Sequence, residues 1–417
     1  MKAFHFALMA AAKRYVLRLP ASLLLAVIFG PGSVIVEGDA RNIPESDIRT
    51  DPAAKADWPQ ASFDSAHTGF NRFETVLRRP NVRHLTQQWA SLVSGGIHAS
   101  PVVSDGRVFI GSGDGHMYAF DAATGATLWI GEAQKFFFAA SAAARHGLVF
   151  ASSLDQTLLA YHAETGKIAW TSDLTGVEAS PTLKNRMLYV ATFDGTLTAL
   201  DPETGASIWS AEGNCCVVNQ SPVVDGSRVF QMRDDHTLTA YDTQTGEQLW
   251  RIRAFSVGTL AASYGMLFYS YYPDVVALDQ ATGSQLWTAP VATSARAGSP
   301  AVANGLVFVT QSNLWALDAA TGSPVWSAQA ASAVGPTVAN GVVYASNQSG
   351  EWDAFDERDG SLLWSVTVGT GCFGDCTVTL PVIANGTLYL AGPDSYLRAF
   401  TLPSRMNRAI LRSEQDK

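Results

Sequence analysis

The chain has 417 residues, a formal net charge of −9, and 16% charged against 47% hydrophobic residues. An average globular chain is roughly 25% charged, so this composition excludes a disordered, collagen-like or coiled-coil protein and implies a large buried core. No basic run is long enough to neutralise a phosphate backbone, so nucleic acid is not an expected partner.

In chain order, Lys2, Lys13, Arg14 and Arg18 precede an apolar stretch from Leu19 to Val36, the order of a secretory signal. Pro31 and Gly32 interrupt that stretch before the ~20 apolar residues a spanning helix needs. Gly38-Asp39-Ala40 puts small residues where a signal peptidase reads. Residues 1–40 are therefore expected to be a signal peptide, with an uncleaved anchor as the alternative. Either places the body outside the cytoplasm, periplasmic or secreted, with no membrane span in the mature chain. No cysteine precedes Cys215, so no lipid-accepting cysteine stands at the mature N-terminus. Residues 41–80 form an N-terminal extension, 81–402 the main domain and 403–417 a tail.

One phrase then recurs: Ala119-Phe-Asp-Ala-Ala-Thr-Gly-Ala-Thr-Leu-Trp129, and again from Ala160 to Trp170, Ala199 to Trp209, Ala240 to Trp250, Ala277 to Trp287, Ala316 to Trp326 and Ala354 to Trp364. With Trp89 added, tryptophans fall every ~39 residues, a period of solenoids or propellers. Inside each period short segments alternate with period two and break at Gly, Asn or Asp, as in Ser100-Pro-Val-Val, Arg107-Val-Phe-Ile-Gly, His116-Met-Tyr-Ala-Phe and Thr127-Leu-Trp. Four short antiparallel strands per repeat make a propeller blade. In the phrase, Asp121 and its equivalents start a turn by accepting backbone N–H groups, and Gly125 and its equivalents supply a positive φ. The Trp of the outer strand can then lie flat on the neighbouring blade.

Inner strands begin at Ser100-Pro101, Ala140-Ser141, Ser180-Pro181, Ser221-Pro222, Ala262-Ser263, Ser299-Pro300, Gly335-Pro336 and Leu380-Pro381, which makes eight. The eighth copy ends at Ala399-Phe400 without its Trp strand, and Gln88-Trp89 carries that strand at the other end of the chain. The expected fold is all-β: an eight-bladed propeller of four-stranded antiparallel blades, closed by an N-terminal outer strand that removes the open sheet edge. It is expected to be a monomer.

Loops from an outer strand to the next inner strand gather at one mouth of such a ring. They carry the candidate ligand-binding residues His98, Glu178, Asn219, Arg296 and Asp375. The four cysteines of an extracytoplasmic chain are expected to form two disulfides. Cys215 and Cys216 precede blade 4 and Cys372 and Cys376 precede blade 8, on opposite sides of the ring, so each pair closes locally. The same separation rejects a four-thiolate zinc site. Gly-x-Ser-x-Gly and Gly-x-x-x-x-Gly-Lys are absent, and no metal-spaced His pair occurs.

The phrase Ala-x-Asp-x-x-Thr-Gly-x-x-x-Trp resembles the tryptophan-docking motif of pyrroloquinoline-quinone-type propellers, over about residues 58 to 402. The segment from Asp57-Trp58-Pro59-Gln60 to Asn71 is similar to the opening segment of quinoprotein dehydrogenases. That family includes quinone-dependent alcohol dehydrogenases and the non-catalytic propeller lipoprotein of the outer-membrane assembly machine, so the resemblance implies fold more than activity. The quinoprotein side implies PQQ and calcium, with Cys215-Cys216 as a vicinal disulfide over the quinone and Glu178 and Asn219 as calcium ligands. Against it, the inner-hairpin connections Gly113-Asp-Gly115, Asp194-Gly195, Gln311-Ser-Asn313 and Pro393-Asp394 are short, and Arg253 to Thr259 offers no Asp as general base. The expectation is therefore a binding or scaffolding module for a protein or small ligand at the channel mouth, with no catalytic residue and no cofactor assigned. The alternative is a PQQ- and calcium-dependent alcohol dehydrogenase.

Overall fold

The computed structural model describes residues 56–132, 140–153, 157–172, 174, 176–177, 179–213, 220–255, 258–271, 273–291, 298–310, 313–330, 334–346, 350–369 and 379–404. All lie in one compact unit, Arg49–Lys417. They form eight antiparallel blades of four strands each, and the one helical element is the single 3-10 turn Val82–His84, apart from Ser404 alone. Blade 4 is typical: inner strand Val223–Asp225, second strand Arg228–Arg233, third strand Thr237–Asp242 and outer strand Gln248–Arg253.

The ring closes as the missing eighth outer strand requires. Thr86–Leu92 pairs antiparallel with Tyr396–Thr401, Thr86 opposite Thr401 and Leu92 opposite Tyr396. Blade 8 is thus made from both ends of the described chain: Thr86–Leu92 covers the outer side of Tyr396–Thr401 and becomes the outer strand of the blade, as in the other seven.

The second and third strands are buried on both faces rather than alternating inside and outside; Leu306–Thr310, for example, is buried from Val307 onward. Blades pack face to face around the ring, so both faces of a blade meet a neighbour and the strands read as continuous apolar runs. Outer strands are half-exposed, and there the alternation survives: in Ser207–Ala211 only Trp209 and Ala211 turn inward.

Seven of the eight repeat tryptophans are held by the turn of the following blade. Trp129 Nε1 donates to Ala163 O at 2.8 Å, Trp209 Nε1 to Thr243 O at 2.9 Å and Trp326 Nε1 to Glu357 O at 2.8 Å. Trp89, on the closing strand of blade 8, donates to Ala122 O of blade 1 at 3.1 Å. Trp89 and Trp129 are buried, while Trp170, Trp209, Trp250, Trp287, Trp326 and Trp364 are half-buried. The accepting turn is built by its Asp: Asp242 Oδ1 accepts Gln244 N at 2.9 Å and Thr245 N at 3.0 Å. Trp364 faces blade 8, which has no such turn, and packs edge-on against Phe400 with ring centroids 5.5 Å apart.

Candidate functional site: the two mouths of the channel

The inner strand of every blade is a sheet edge facing the central channel, so its middle residue presents an N–H and a C=O with no partner inside the blade. Residues 56–75 supply those partners. Trp58 exchanges both backbone hydrogen bonds with Val103 of blade 1, at 3.0 and 2.7 Å. Ala144 N of blade 2 donates to Pro59 O, and the Gln60 amide takes both backbone groups of Leu183 in blade 3. Val224 N of blade 4 donates to Ser65 O, Ala262 N of blade 5 to Ala66 O and Val302 N of blade 6 to Thr68 O. Phe70–Asn71 adds a parallel strand to Thr337–Ala339 of blade 7, and Asn71 Nδ2 donates to Ile383 O of blade 8 at 2.8 Å. The segment therefore runs once around the inside of the ring and engages the blades in sequence order.

This plug sits toward the turns that join inner to second strands. Asp57 accepts Asp105 N and Asn385 Nδ2 from such turns in blades 1 and 8, and Glu74 Oε2 accepts Gly386 N at 2.9 Å. Burial raises the Glu74 carboxyl, and the backbone N–H groups of Gly386, Leu77 and Val76 oppose that rise only in part. His67 projects from the plug, fully buried; burial lowers its pKa to about 4, so the ring is neutral. Its Nε2 lies 3.4 Å from Thr182 Oγ1, which donates to Pro222 O at 2.7 Å.

In a four-stranded antiparallel blade the outer-to-inner connections lie at the end opposite those turns, which leaves the other mouth as the candidate site. His98 is there, half-buried on blade 1, its Nε2 3.2 Å from the position a β-carbon on Gly113 would take. Glu178, Asn219, Arg296, Asp375 and the cysteines Cys215, Cys216, Cys372 and Cys376 lie outside the described residues.

The structure adds groups at this mouth that the sequence did not single out. On blade 1, Tyr118 Oη donates to Asp114 Oδ2 at 2.6 Å. Burial alone would raise the Asp114 carboxyl, but hydrogen bonds from Tyr118, His116 and Ser112 carry it below its ordinary value. On blade 4, Asp235 pairs with Arg251 at 3.1 Å, and Arg233 Nη2 donates to Tyr241 Oη at 2.8 Å. Burial raises neighbouring Asp234. The rings of His236, Phe255 and Tyr271 line up across blades 4 and 5 with centroids 4.4 and 5.3 Å apart, Phe255 and Tyr271 about 40% exposed. On blade 8, Arg398 clamps Asp394 and lies over the Tyr396 ring. The visible signal was the hairpin tip of blade 4, Arg233-Asp-Asp-His236, which replaces the Gly-Asp-Gly of blade 1 with charge.

Among the described residues no three His, Cys, Asp or Glu side chains converge to hold a metal ion. The residues assigned to calcium and quinone by resemblance are outside those described, so no chemical step is derived through either group.

The sequence family described as outer membrane protein assembly factor BamB matches residues 86–142, 135–222, 216–271 and 273–404. A quinohemoprotein alcohol dehydrogenase of Comamonas testosteroni is 29% identical over 135 residues, covering 30% of this chain and 19% of that enzyme. The chain therefore aligns with about a fifth of that curated relative. The crystal structure of BamB from Moraxella catarrhalis superposes with a TM-score of 0.62 at 17% identity, over 77% of this chain and 98% of that one. The crystal structure of the C. testosteroni quinohemoprotein superposes with a TM-score of 0.72 at 16% identity, over 86% of this chain and 82% of that one. At these identities the two superpositions show the fold alone.

Proposed function

The chain belongs to the family described as outer membrane protein assembly factor BamB, and from that premise we propose that it is an extracytoplasmic scaffold that holds a protein partner along its outer strand edges and open mouth. The observation that carries this reading is the surface of the outer strands. Immediately before the Trp, blade after blade exposes an apolar side chain: Leu128, Ile208, Leu249, Leu286 and Val325, each 45–51% exposed. Each lies on a strand whose outer edge has no neighbour in its sheet, the combination that supports strand addition by a partner. Among the described residues no helix is long and apolar enough to cross a membrane. The periplasm is the proposed compartment, on the signal-like N-terminus and the family.

A photo-crosslinking residue at Leu249, on the outer edge, and a second at Tyr264, at the plugged end, test this in the native host. A discrete crosslinked protein at Leu249 and none at Tyr264 is the expected result. Equal labelling at both would reject the edge as the docking surface.

The second reading, a PQQ- and calcium-dependent alcohol dehydrogenase, is favoured by the 135-residue match to the quinohemoprotein enzyme. Incubation with PQQ and calcium followed by dye-coupled alcohol oxidation decides it. Stoichiometric quinone retention with turnover, lost in Glu178→Ala and Asn219→Ala, would replace the scaffold reading with an enzyme.

A further inference from the structure

The outer strand of blade 4, Gln248–Arg253, departs from the other seven in charge. It carries Arg251 and Arg253, whereas the rest, from Thr86–Leu92 to Leu362–Thr367, contain no Asp, Glu, Lys or Arg. Leu249, Arg251, Arg253 and Phe255 stand at alternate positions and are all exposed, while Trp250, Ile252 and Ala254 between them turn inward. One stripe therefore runs apolar, cationic, cationic, aromatic from the outer edge to the open mouth, where Phe255 meets Tyr271 of blade 5 with ring centroids 5.3 Å apart.

The backbone of the same residues faces outward. Ala254 N donates to His236 O and Ile252 stands opposite Leu238, so Ile252 and Ala254 direct their backbone groups into the blade. In an antiparallel ladder the residues between them point theirs the other way, which puts the N–H and C=O of Arg251 and Arg253 on the outer edge. Among the described residues no strand covers that edge. The next two blades blunt theirs with proline, Pro290 ending the outer strand of blade 5 and Pro324 opening that of blade 6. Arg251 Nη2 lies 3.1 Å from Asp235 Oδ2, yet its side chain stays 40% exposed, and Arg253 stands opposite the uncharged Thr237. Two like charges on one edge repel a second copy of it and any cationic strand, and they attract an acidic one.

We propose that the outer edge of blade 4 takes up an acidic segment of a partner protein as a fifth, antiparallel strand. This rests on the scaffold reading and adds where the partner docks and what it carries. Two residues of the added strand exchange backbone hydrogen bonds with Arg251 and with Arg253, and their carboxylates lie beside the two guanidiniums. An apolar residue two places beyond at either end packs on Leu249 and on Phe255. The segment recognised is therefore apolar, acidic, acidic, apolar at alternate positions, with the side chains between them on the opposite face of the sheet.

The test uses the purified full chain and a disulfide-closed β-hairpin probe whose free strand reads Leu-Thr-Glu-Thr-Glu-Thr-Val, titrated by fluorescence anisotropy at low salt. Saturable binding is expected, about tenfold weaker when Gln replaces both Glu and absent when Lys does. N-methylation of the two Glu residues, which removes the backbone donors and keeps the charge, should abolish it. Arg253→Glu, with unchanged circular dichroism, should weaken the Glu probe about tenfold and confer binding of the Lys probe. If that variant does not fold, Arg253→Gln and Arg251→Gln should each weaken the Glu probe about threefold. No saturable binding overturns the proposal, as does equal binding of the Glu and Lys probes, binding that survives N-methylation, or binding unchanged in every arginine variant. Such a failure alongside a discrete crosslink at Leu249 leaves the scaffold reading in place. Glu-selective binding at the edge without that crosslink supports the acidic segment and removes the scaffold reading.

Discussion

The indole of Trp209 lies directly on the α-carbon of Gly246 in the next blade, so that a β-carbon there would stand 2.5 Å from Trp209 Cε3. Gly246 also has φ +71°. The glycine of the repeated phrase answers two demands at once, a left-handed turn and a flat surface for its neighbour's tryptophan, and these separate experimentally. Gly246→Ala should destabilise the protein by about 2–4 kcal/mol, combining backbone strain with a clash against a packed ring. Gly226→Ala, where φ is +57° and a β-carbon meets nothing within 4 Å, should cost only about 1 kcal/mol. Urea denaturation midpoints measure both, and equal losses would mean the ring contact contributes nothing.

Trp129→Ala removes a buried indole and its 2.8 Å hydrogen bond to Ala163 O, and should cost about 3–5 kcal/mol. The half-buried Trp209 should cost less. Trp364, held by the Phe400 ring, should lose little in Trp364→Phe, which keeps a ring contact, and clearly more in Trp364→Ala, whereas at position 129 the Phe variant should already lose about 1 kcal/mol through the missing donor.

Deleting residues 81–92 removes the strand that pairs with Tyr396–Thr401 and opens a sheet edge. The product should aggregate or unfold at a lower temperature, as followed by light scattering during a thermal ramp. A monomer with unchanged melting would contradict closure by this strand.

His67 gives the plug a pH dependence of definite sign. Its folded pKa, about 4, lies below the ordinary 6.5 because burial disfavours the charged ring. The neutral ring therefore contributes fully above pH 6.5, and that contribution is lost as pH falls toward 4, by about 3 kcal/mol. Glu74 acts in the opposite direction, since burial raises its carboxyl and its contribution fades as pH rises past the ordinary 4.5. The difference between wild type and His67→Asn, an exchange that tolerates the residue's φ of +54°, isolates the histidine. That difference should change by about 3 kcal/mol between pH 7 and pH 4; a constant difference would place His67 in contact with solvent.

Blade number and closure were legible in the sequence because each depends on residues repeated at fixed spacing. The lone Gln88-Trp89 could be assigned to blade 8 because Ala399-Phe400 lacked its Trp. The plug was not legible. Trp58, Pro59, Ser65, Ala66 and Thr68 engage the blades through backbone N–H and C=O groups, which leave no periodic trace in side-chain type. The burial of the middle strands was also misread: alternation at Thr127-Leu-Trp holds for an outer strand, while Leu306–Thr310 is covered on both faces. Of the candidate ligand-binding residues, chosen by loop position, only His98 falls among the described residues. The joint burial of Gln231 and Thr239 was not legible either, since nothing in single-strand periodicity shows which face meets a neighbouring blade.

The hydrogen bond from Asn71 to Ile383 joins residues 312 apart in the chain, and it is the last of a series that begins at Val103 and visits the blades in order. A ribosome delivers the plug first and the strand it must finally grip near the end. Throughout synthesis, Trp58, Phe63 and Asn71 have no completed ring to enter, and the backbone donors of the eight inner strands have nothing to bind. Acquisition of the native state is therefore a late, all-or-none event limited by long-range loop closure, and folding should be slow and depend on protection of the N-terminal segment until the eighth blade exists.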